Sequence, residues 1–122
     1  MKILVIDDSR TVRRLLVSFL KDLGIESVEA GDGLEALEQL GQTGPFEGAL
    51  VDWDMPRMNG LDFVKSVRKQ SEFDDLKLLM VTAQTSMDSV VQALEAGATD
   101  YLMKPLTKQM LEEKLRLMGL IS

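Results

Sequence analysis

The sequence predicts an α/β fold in which one parallel β-sheet carries helices on both of its faces. Short apolar runs typical of strands alternate along the chain with segments whose apolar residues repeat at helical spacing. The strand segments are apolar throughout rather than at every second position, which is typical of parallel strands buried on both sides. Five such strand–helix units fill the 122 residues, so we predict one doubly wound domain over residues 1–122.

The first two units precede a stretch rich in glycine, residues 41–45, that separates them from the rest of the chain. The first unit has a β-branched strand at residues 3–6. Its helix begins after Ser9, a favoured N-cap residue, and ends at Gly24. The second unit has a strand at residues 25–29. Its helix presents one apolar face, formed by Leu34, Leu37 and Leu40.

The last three units follow the same pattern, with strands predicted at residues 49–51, 78–81 and 101–103. A polar loop at residues 71–75 precedes the fourth strand. The helices are marked by apolar residues at helical spacing: Leu61, Val64 and Val67; then Met87, Val90, Val91 and Leu94, ended by Gly97; then Leu111, Leu115 and Met118. Because methionine fills protein cores more often than it lies in interfaces, we also expect Met110 to be a core residue.

The composition excludes several classes of site. The chain has no cysteine and no histidine, which rules out disulfides, thiolate catalysis, cysteine-ligated metals and a histidine general base. Its formal charge of −6 argues against a nucleic-acid surface, so we expect proteins or small ions as partners. No apolar run approaches the ~20 residues that span a bilayer, and no signal-peptide pattern is present. We therefore expect a cytoplasmic protein without membrane contact.

The polar residues that carry chemistry follow the predicted strands. Asp7 and Asp8 follow the first strand and Asp52 the third, while Thr82 and Lys104 follow the fourth and fifth. In an open parallel sheet the carboxyl ends of the strands lie along one edge, and ligands bind there, where the strand order reverses. For a sheet of order 2-1-3-4-5 the reversal falls between the first and third strands. The sequence therefore predicts an acidic pocket at that point.

An acidic pocket of this kind indicates a divalent cation. At an effective dielectric constant near 20, two like charges about 4 Å apart repel by about 4 kcal/mol, and a cation offsets this repulsion. All-oxygen ligation suits Mg²⁺, Mn²⁺ or Ca²⁺, and a site with few protein ligands favours Mg²⁺. The alternative is that acids at strand ends cap helices or face solvent. That reading fits each acid alone, but it is less apt for three acids on the same edge as Thr82 and Lys104.

The other residues then acquire possible roles. Asp52 is the natural nucleophile, because a carboxylate can attack phosphorus without a general base. Thr82 can donate a hydrogen bond to an incoming phosphoryl group, and Lys104 can supply a positive charge to it. Lys104 must reach across two strand spacings, roughly 10 Å, which its long side chain allows.

Four segments of the chain resemble the response-regulator receiver family. They are Asp7-Asp8, the run Asp52-Trp53-Asp54-Met55-Pro56-Arg57-Met58-Asn59-Gly60, Val81-Thr82-Ala83, and Tyr101-Leu102-Met103-Lys104-Pro105. The likeness runs from Met1 to the last predicted helix. It implies a flavodoxin-like fold with strand order 2-1-3-4-5 and a cis peptide bond before Pro105.

The resemblance also implies a set of site residues. Asp52 is similar to the phosphoacceptor, and Asp7, Asp8, Asp52 and the backbone carbonyl of Asp54 are similar to the ligands of Mg²⁺, for which Mn²⁺ can substitute. Thr82 and Lys104 match the switch hydroxyl and the lysine of the family, and Tyr101 matches the aromatic residue that moves with Thr82. The side chains of Asp54 and Gln84 occupy two positions that tune the lifetime of the phosphoryl group.

The function implied by the resemblance is a two-component signalling switch rather than an enzyme with a separate substrate. The phosphodonor is a phosphohistidine of a sensor histidine kinase, and the domain promotes its own phosphotransfer and dephosphorylation. The pair Asp52-Trp53 and the absence of an output domain are most similar to the stand-alone chemotaxis regulators of the family. We therefore expect a monomer that acts on a downstream protein target, with a flagellar switch as the leading candidate.

Several alternatives stay open at the level of sequence. A phosphorelay intermediate or a phosphate sink would look nearly the same. A small aspartyl-phosphate phosphatase is suggested by Asp52-Trp53-Asp54, but in that class the motif lies on the first strand. A flavodoxin-like cofactor binder would need a phosphate loop where Asp7-Asp8 stands, and an inactive receiver would lack some of the site residues. Three arginines of the first helix, Arg10, Arg13 and Arg14, either dock an acidic kinase surface or form a solvated face.

Overall fold

A five-stranded parallel sheet forms the centre of the computed structural model, which describes all 122 residues. The strand order is β2-β1-β3-β4-β5, and each neighbouring pair is parallel. The strands are β1 (Lys2–Ile6), β2 (Glu26–Ala30), β3 (Gly48–Val51), β4 (Lys77–Thr82) and β5 (Asp100–Met103). The predicted α/β class, the doubly wound architecture and the order 2-1-3-4-5 are confirmed.

A helix follows each strand, as the alternating pattern predicts. The helices are α1 (Arg10–Asp22), α2 (Gly33–Gln42), α3 (Gly60–Arg68), α4 (Met87–Ala96) and α5 (Lys108–Leu117). The segment predicted as a polar loop contains one short 3₁₀ turn, Ser71–Phe73. None of the helices has the length and apolar character that crossing a bilayer requires.

The core consists of two apolar clusters, one on each face of the sheet. Along β1, Ile3 and Val5 point to the face covered by α1 and α5, whereas Leu4 and Ile6 point to the face covered by α2, α3 and α4. Successive side chains of a strand point to opposite faces, and both faces are buried here. The middle positions of β1, β3 and β4 are therefore all apolar, whereas the edge strand β2 is only partly buried and carries Glu26 and Glu29.

The helices begin next to the carboxyl edge of the sheet, each with a side-chain N-cap. In each case the capping oxygen accepts a hydrogen bond from a backbone N–H in the first turn of the helix. The capping residues are Ser9, Asp32, Asn59, Ser86 and Thr107. Each cap contributes about 1 kcal/mol to stability. The caps fix where each strand-to-helix loop ends, next to the residues that follow the strands.

The prediction that Met110 lies in the core is wrong, since its side chain is 39% exposed. The buried stripe of α5 is formed by Leu111, Leu115 and Met118, and Met110 lies about 100° around the helix from Leu111. The apolar face predicted for α2 is correct for Leu37 and Leu40, which pack against the core, but not for Leu34. Leu34 is exposed, and the buried positions of this helix are Gly33, Ala36 and Leu40.

The segment with the apolar residues Met87, Val90, Val91 and Leu94 forms helix α4 as predicted. Most of these side chains, however, face away from the core. Met87, Val91 and Leu94 are 75%, 43% and 45% exposed, and Ala93 is the only buried residue of this helix. The helix ends where predicted, at Gly97, which has a left-handed backbone with φ of +116°. The short side chain of Ala93 lets α4 pack closely while its larger apolar residues remain at the surface.

Arg68, the last residue of α3, joins three separate segments through its guanidinium group. Its Nε donates to the carbonyl of Gly97, Nη1 to that of Phe73 and Nη2 to that of Leu76, at 2.9, 2.7 and 2.7 Å. Burial lowers the pKa of Arg68, and no carboxylate is paired with it. The three carbonyl groups are therefore its only direct partners, and they fix the end of α4 against α3 and the start of β4.

We expect Arg68→Met to lower the free energy of unfolding by about 2–3 kcal/mol, because it removes charge-assisted hydrogen bonds to three partly buried carbonyl groups. Urea unfolding followed by circular dichroism measures the change. The matched control is Arg116→Met in α5. It removes an exposed ion pair to Glu112 of that helix and should change stability by less than about 0.5 kcal/mol. Equal effects of the two substitutions would contradict the role assigned to Arg68.

Candidate functional site

Three carboxylates meet at the carboxyl edge of the sheet, where the sequence predicts an acidic pocket. Oxygen atoms of Asp7, Asp8 and Asp52 lie within 4.8 Å of one another. Asp7 and Asp52 are buried, with 1% and 7% exposure, and Asp8 is exposed at the mouth of the pocket. The pairing of β1 with β3 produces this arrangement, since Ile6 lies opposite Val51 and the next residue of each strand is an aspartate.

Lys104 reaches into the pocket from the end of β5. Its ammonium group lies 2.7 Å from Oδ2 of Asp7 and 3.4 Å from Oδ1 of Asp52. The backbone amide of Lys104 donates to the carbonyl of Thr82, and the Lys104–Pro105 peptide bond is cis, as the resemblance implies. Burial disfavours the charge of Lys104, but hydrogen bonds and attraction to the two carboxylates outweigh it, so its pKa is raised.

The pocket changes the ionisation of Asp52. Burial raises the pKa of its carboxyl to about 6, and the negative charge of Asp7 acts in the same direction. Lys104 opposes the shift, and so does the backbone N–H of Trp53, which donates to Oδ1 of Asp52 at 2.9 Å. Added positive charge beside Asp52 would favour its anionic form, which is the nucleophilic one.

Thr82 and Tyr101 both hold the loop that follows β4. The side chain of Thr82 is fully buried, and its Oγ1 accepts the backbone N–H of Gln84 at 3.2 Å. The side chain of Tyr101 is buried, and its hydroxyl donates to the carbonyl of Gln84 at 2.6 Å. Burial raises the pKa of Tyr101, with the charges of Asp54 and Asp52 adding to the effect. One residue therefore connects both predicted switch side chains.

Gln84 also connects this loop to the one after β3. Its side-chain amide donates to Oδ2 of Asp54 at 2.9 Å, at the exposed rim of the pocket. The sequence singles out Asp54 and Gln84 separately, and the structure brings their side chains into contact. Their effect on the lifetime of a phosphoryl group stays a prediction.

The donor set of the pocket fits a hard divalent cation. It contains carboxylate oxygens from Asp7, Asp8 and Asp52, and no nitrogen or sulfur ligand is present. Lys104 already supplies one positive charge, but it contacts only Asp7 and Asp52, so the exposed carboxylate of Asp8 is left for a second cation. The residues present are therefore compatible with Mg²⁺.

Comparison with models of protein families matches residues 3–116 to the response regulator receiver domain. The chain belongs to the response regulator receiver family. Curated relatives of this receiver domain include chemotaxis protein CheY1 of Helicobacter pylori, which is 46% identical over 94% of both chains. The CheY homolog of Campylobacter jejuni is 43% identical over 94% of this chain and 89% of its own.

Solved structures show the same fold. The chemotaxis protein CheY4 of Vibrio cholerae superimposes with a TM-score of 0.89 at 37% identity, covering 96% of this chain and 97% of its own. A probable two-component system response regulator/GGDEF domain protein has a TM-score of 0.91 at 27% identity and covers 98% of this chain, but only 49% of its own. The fold is therefore found both alone and as part of a longer protein.

Two of the three arginines of α1 differ from the third in their contacts. In the receiver domain Arg13 donates to the carbonyl of Asp7 at 2.7 Å and to Glu29 at 3.1 Å, so it is a structural residue beside the pocket. Arg10 and Arg14 are exposed and form no ion pair. Of the two roles considered for these arginines, pairing with neighbouring groups describes Arg13. Arg10 and Arg14 are the ones that remain free to contact a partner protein.

Sequence reasoning missed one ion pair near the site of the receiver domain. Asp32 caps α2 through a 2.9 Å hydrogen bond from the backbone N–H of Glu35, and it also accepts two bonds from the guanidinium of Arg57, at 2.7 and 3.1 Å. Arg57 lies in the loop that follows Asp52. The cap was recognisable from an aspartate before a helix, but nothing in the sequence indicates a partner 25 residues away.

We expect the stabilising effect of Asp32 to depend on pH. The hydrogen bonds from Arg57 hold the pKa of Asp32 below its ordinary value, so the folded protein binds a proton there less readily than the unfolded chain does. The stabilisation is complete above the ordinary pKa, about 3.9, and is lost as the pH falls through the lower folded-state value.

The measurement is urea unfolding of the wild type and of Asp32→Asn between pH 3 and pH 7. Asparagine keeps the cap but not the charge. We expect the wild type to be more stable at pH 7 and its advantage to shrink toward pH 3, and Arg57→Asn should show the same trend. An advantage that grows as the pH falls would contradict the assignment.

Proposed function

We propose that this receiver domain is a phosphorylation-dependent signalling switch that accepts a phosphoryl group on Asp52 from the phosphohistidine of a sensor histidine kinase. The observation that supports this most directly is the buried carboxylate of Asp52, with the ammonium of Lys104 3.4 Å away and two further acids beside it. Family membership supports the same reading, since the matched segment spans residues 3–116 and contains all of these groups.

In the proposed transfer, a carboxylate oxygen of Asp52 attacks the phosphorus atom and the phosphorus–nitrogen bond to histidine breaks. The electron pair of that bond stays on the imidazole. Lys104 is placed to exchange its contact with Asp7 for the incoming phosphoryl oxygens, because its ammonium already lies between Asp7 and Asp52. Mg²⁺, held by Asp7, Asp8, Asp52 and the carbonyl of Asp54, would supply the charge that neutralises these acids and the phosphoryl oxygens.

The signal ends when the phosphoryl group on Asp52 is hydrolysed. Water attacks phosphorus, the bond from phosphorus to the oxygen of Asp52 breaks, and inorganic phosphate leaves while the carboxylate is restored. The side chains of Gln84 and Asp54 form an exposed hydrogen bond between the loops that follow β4 and β3, and we propose that this pair affects the access of water to the phosphoryl group. This activity on its own phosphoryl group distinguishes the domain from a phosphatase with a separate substrate.

The switch would operate through the loops after β4 and β5. A phosphoryl group brings a charge of about −1.5 to −2 next to Thr82 and Lys104. The hydroxyl of Thr82 accepts a bond from Gln84 but has no acceptor of its own among the protein groups, so its proton is available to a phosphoryl oxygen. Since the carbonyl of Gln84 also accepts the hydroxyl of Tyr101, a movement of Thr82 would shift Gln84 and, through it, Tyr101.

We place the switch in chemotaxis, because the curated relatives at 42–46% identity are chemotaxis proteins. The proposed partners are a sensor histidine kinase and a downstream protein target, with a flagellar switch component as the leading candidate. We further propose that residues 1–122 form one receiver domain that acts as a monomer. The exposed apolar side chains of α4, Met87, Val91 and Leu94, offer the target a surface that adjoins the Gln84 loop.

Phosphorylation can be tested by intact mass after incubation with Mg²⁺ and acetyl phosphate. We expect one added phosphoryl group on the wild type and none on Asp52→Asn, which lacks the nucleophilic oxygen. The matched control is Asp62→Asn, a similar change at an exposed site in the first turn of α3, which should still be phosphorylated. Modification of Asp52→Asn to the same extent as the wild type would contradict the assignment.

The decay of the added group separates the remaining alternatives. Loss within seconds to minutes suits a motility signal, whereas persistence for hours suits a relay intermediate or a phosphate sink. Steady turnover of small phosphate esters would instead support a phosphatase. If acetyl phosphate adds no phosphoryl group, the assay is repeated with a phosphorylated kinase. Phosphorylation by the kinase indicates a receiver that is selective for its donor, and no phosphorylation indicates an inactive receiver.

Cation binding can be followed with Trp53, the only tryptophan, whose backbone N–H contacts Asp52. We expect its fluorescence to change on titration with Mg²⁺, and Asp8→Asn to raise the dissociation constant about 10-fold or more, since changes next to a metal cost at least that much. Asp75→Asn removes the same charge just before β4, at the opposite edge of the sheet, and should have little effect. A flat titration at millimolar Mg²⁺ would count against the site.

A further inference from the structure

The loop between β3 and α3, residues 52–59, packs Trp53, Met55 and Met58 against the core but has few hydrogen bonds to the rest of the protein. Within it, residues 54–56 form no backbone hydrogen bond to any other segment, and their one side-chain bond is the exposed contact of Asp54 with Gln84. On the early side the loop is closed by the N–H of Gly60, which donates to the carbonyl of Trp53 at 2.9 Å. No hydrogen bond to another segment holds the backbone on either side of Asp54, so the contacts of the later part of the loop contribute to its position.

Arg57 holds the later part of the loop. It is the only residue other than glycine with a positive φ, +64°, a left-handed conformation that non-glycine residues adopt only when their surroundings hold it. Its guanidinium forms a two-pronged contact with Asp32, Nε to Oδ2 at 2.7 Å and Nη2 to Oδ1 at 3.1 Å. Asp32 is buried and caps α2, so the anchor point is rigid. We call this ion pair the Arg57–Asp32 clamp.

A second contact joins the same two segments next to the clamp. The N–H of Gly33 donates to the carbonyl of Met58 at 3.1 Å. A Cβ atom on Gly33 would come within 2.6 Å of the side chain of Met58, so only glycine lets the start of α2 approach the loop this closely. The first turn of α2 is therefore seated directly on the loop that carries Asp54.

We propose that Arg57 is a positioning residue for the cation site: by binding Asp32 it fixes the β3–α3 loop, which carries the backbone carbonyl of Asp54. This inference rests on the proposed function, in which that carbonyl completes the protein ligands. Arg57 would act without contacting the cation or the phosphoryl group. The affinity of the site for the cation would then depend on Asp32 at the start of α2.

The competing explanation for any effect of Arg57 is long-range charge, and the two explanations predict opposite signs. Removing a positive charge near an acidic pocket would tighten cation binding by electrostatics alone, and removing the negative charge of Asp32 would weaken it. Loss of the clamp weakens binding in both cases. In the double variant the two charge effects cancel, whereas loss of the clamp does not.

The test is a Mg²⁺ titration, followed by Trp53 fluorescence, of the wild type, Arg57→Asn, Asp32→Asn and the double variant. Asparagine tolerates the left-handed backbone at position 57 and keeps the helix cap at position 32. We expect each single substitution to raise the dissociation constant about 3- to 10-fold, at or below the lower limit for direct outer-shell partners. The double variant should be no weaker than the weaker single one, because both remove the same contact.

Two further measurements separate the possible outcomes. Arg14→Asn removes an equal charge from an exposed residue of α1 and should not raise the dissociation constant. Hydrogen exchange without metal should be faster at Met58 and Gly60 in the clamp variants and unchanged in β1 and β4, which shows that only the loop has loosened.

Unchanged Mg²⁺ affinity in the clamp variants, or effects of opposite sign that cancel in the double variant, would overturn the inference and leave the proposed function standing. A wild-type protein that does not respond to Mg²⁺ would instead contradict the proposed cation site itself, and the inference would fall with it.

Discussion

The pairing of β1 with β3 places two carboxylates side by side in a buried pocket, and the arrangement around them is a response to their repulsion. Asp7 and Asp52 follow directly after paired residues of these strands, so no change of side-chain rotamer can move them far apart. Lys104 reaches Asp52 across two strand spacings and Asp7 across three, and the backbone N–H of Trp53 donates to an oxygen of Asp52. Even so, burial raises the pKa of Asp52 to about 6, and the negative charge of Asp7 adds to the effect.

The same pocket is linked by hydrogen bonds to the loop that follows β4. Under the proposed function, a phosphoryl group and its cation would change both the charge and the set of hydrogen-bond acceptors within reach of Lys104 and Thr82. Thr82 and Tyr101 hold the same residue, Gln84, from two sides. A single buried hydroxyl is therefore linked to a surface loop through contacts that are each within hydrogen-bond distance.

The sequence was sufficient to predict the fold and the pocket because the relevant signals are local. Asp7, Asp52, Thr82 and Lys104 each stand at the end of an apolar run, and parallel topology alone brings such positions to one edge. Ser9 and Gly24 likewise mark the ends of α1 through short-range chemistry, with the serine oxygen accepting the N–H of Val12 at 3.2 Å. Signals of this kind need no knowledge of what lies across the fold.

What could not be predicted depends on contacts between distant segments. The pairing of Arg57 with Asp32 requires a left-handed backbone at an arginine, and the grip of Arg68 on three carbonyl groups has no side-chain partner that a sequence could reveal. Helical periodicity shows that the apolar residues of α4 share a face, but it does not show whether another element covers that face. The same limit explains the wrong assignment of Met110.

The unequal anchoring of α4 gives this helix the mechanics of a lever. Arg68 binds the carbonyl of Gly97 at its carboxyl-terminal end, whereas Met87 at its amino-terminal end is exposed and follows the loop that contains Gln84. A helix of 10 residues is about 15 Å long, so a rotation of roughly 6° about the gripped end carries Met87 through about 1.5 Å. Displacements too small to break the packing of the core thus become large enough, at the far end of the helix, to alter the shape that an approaching protein meets.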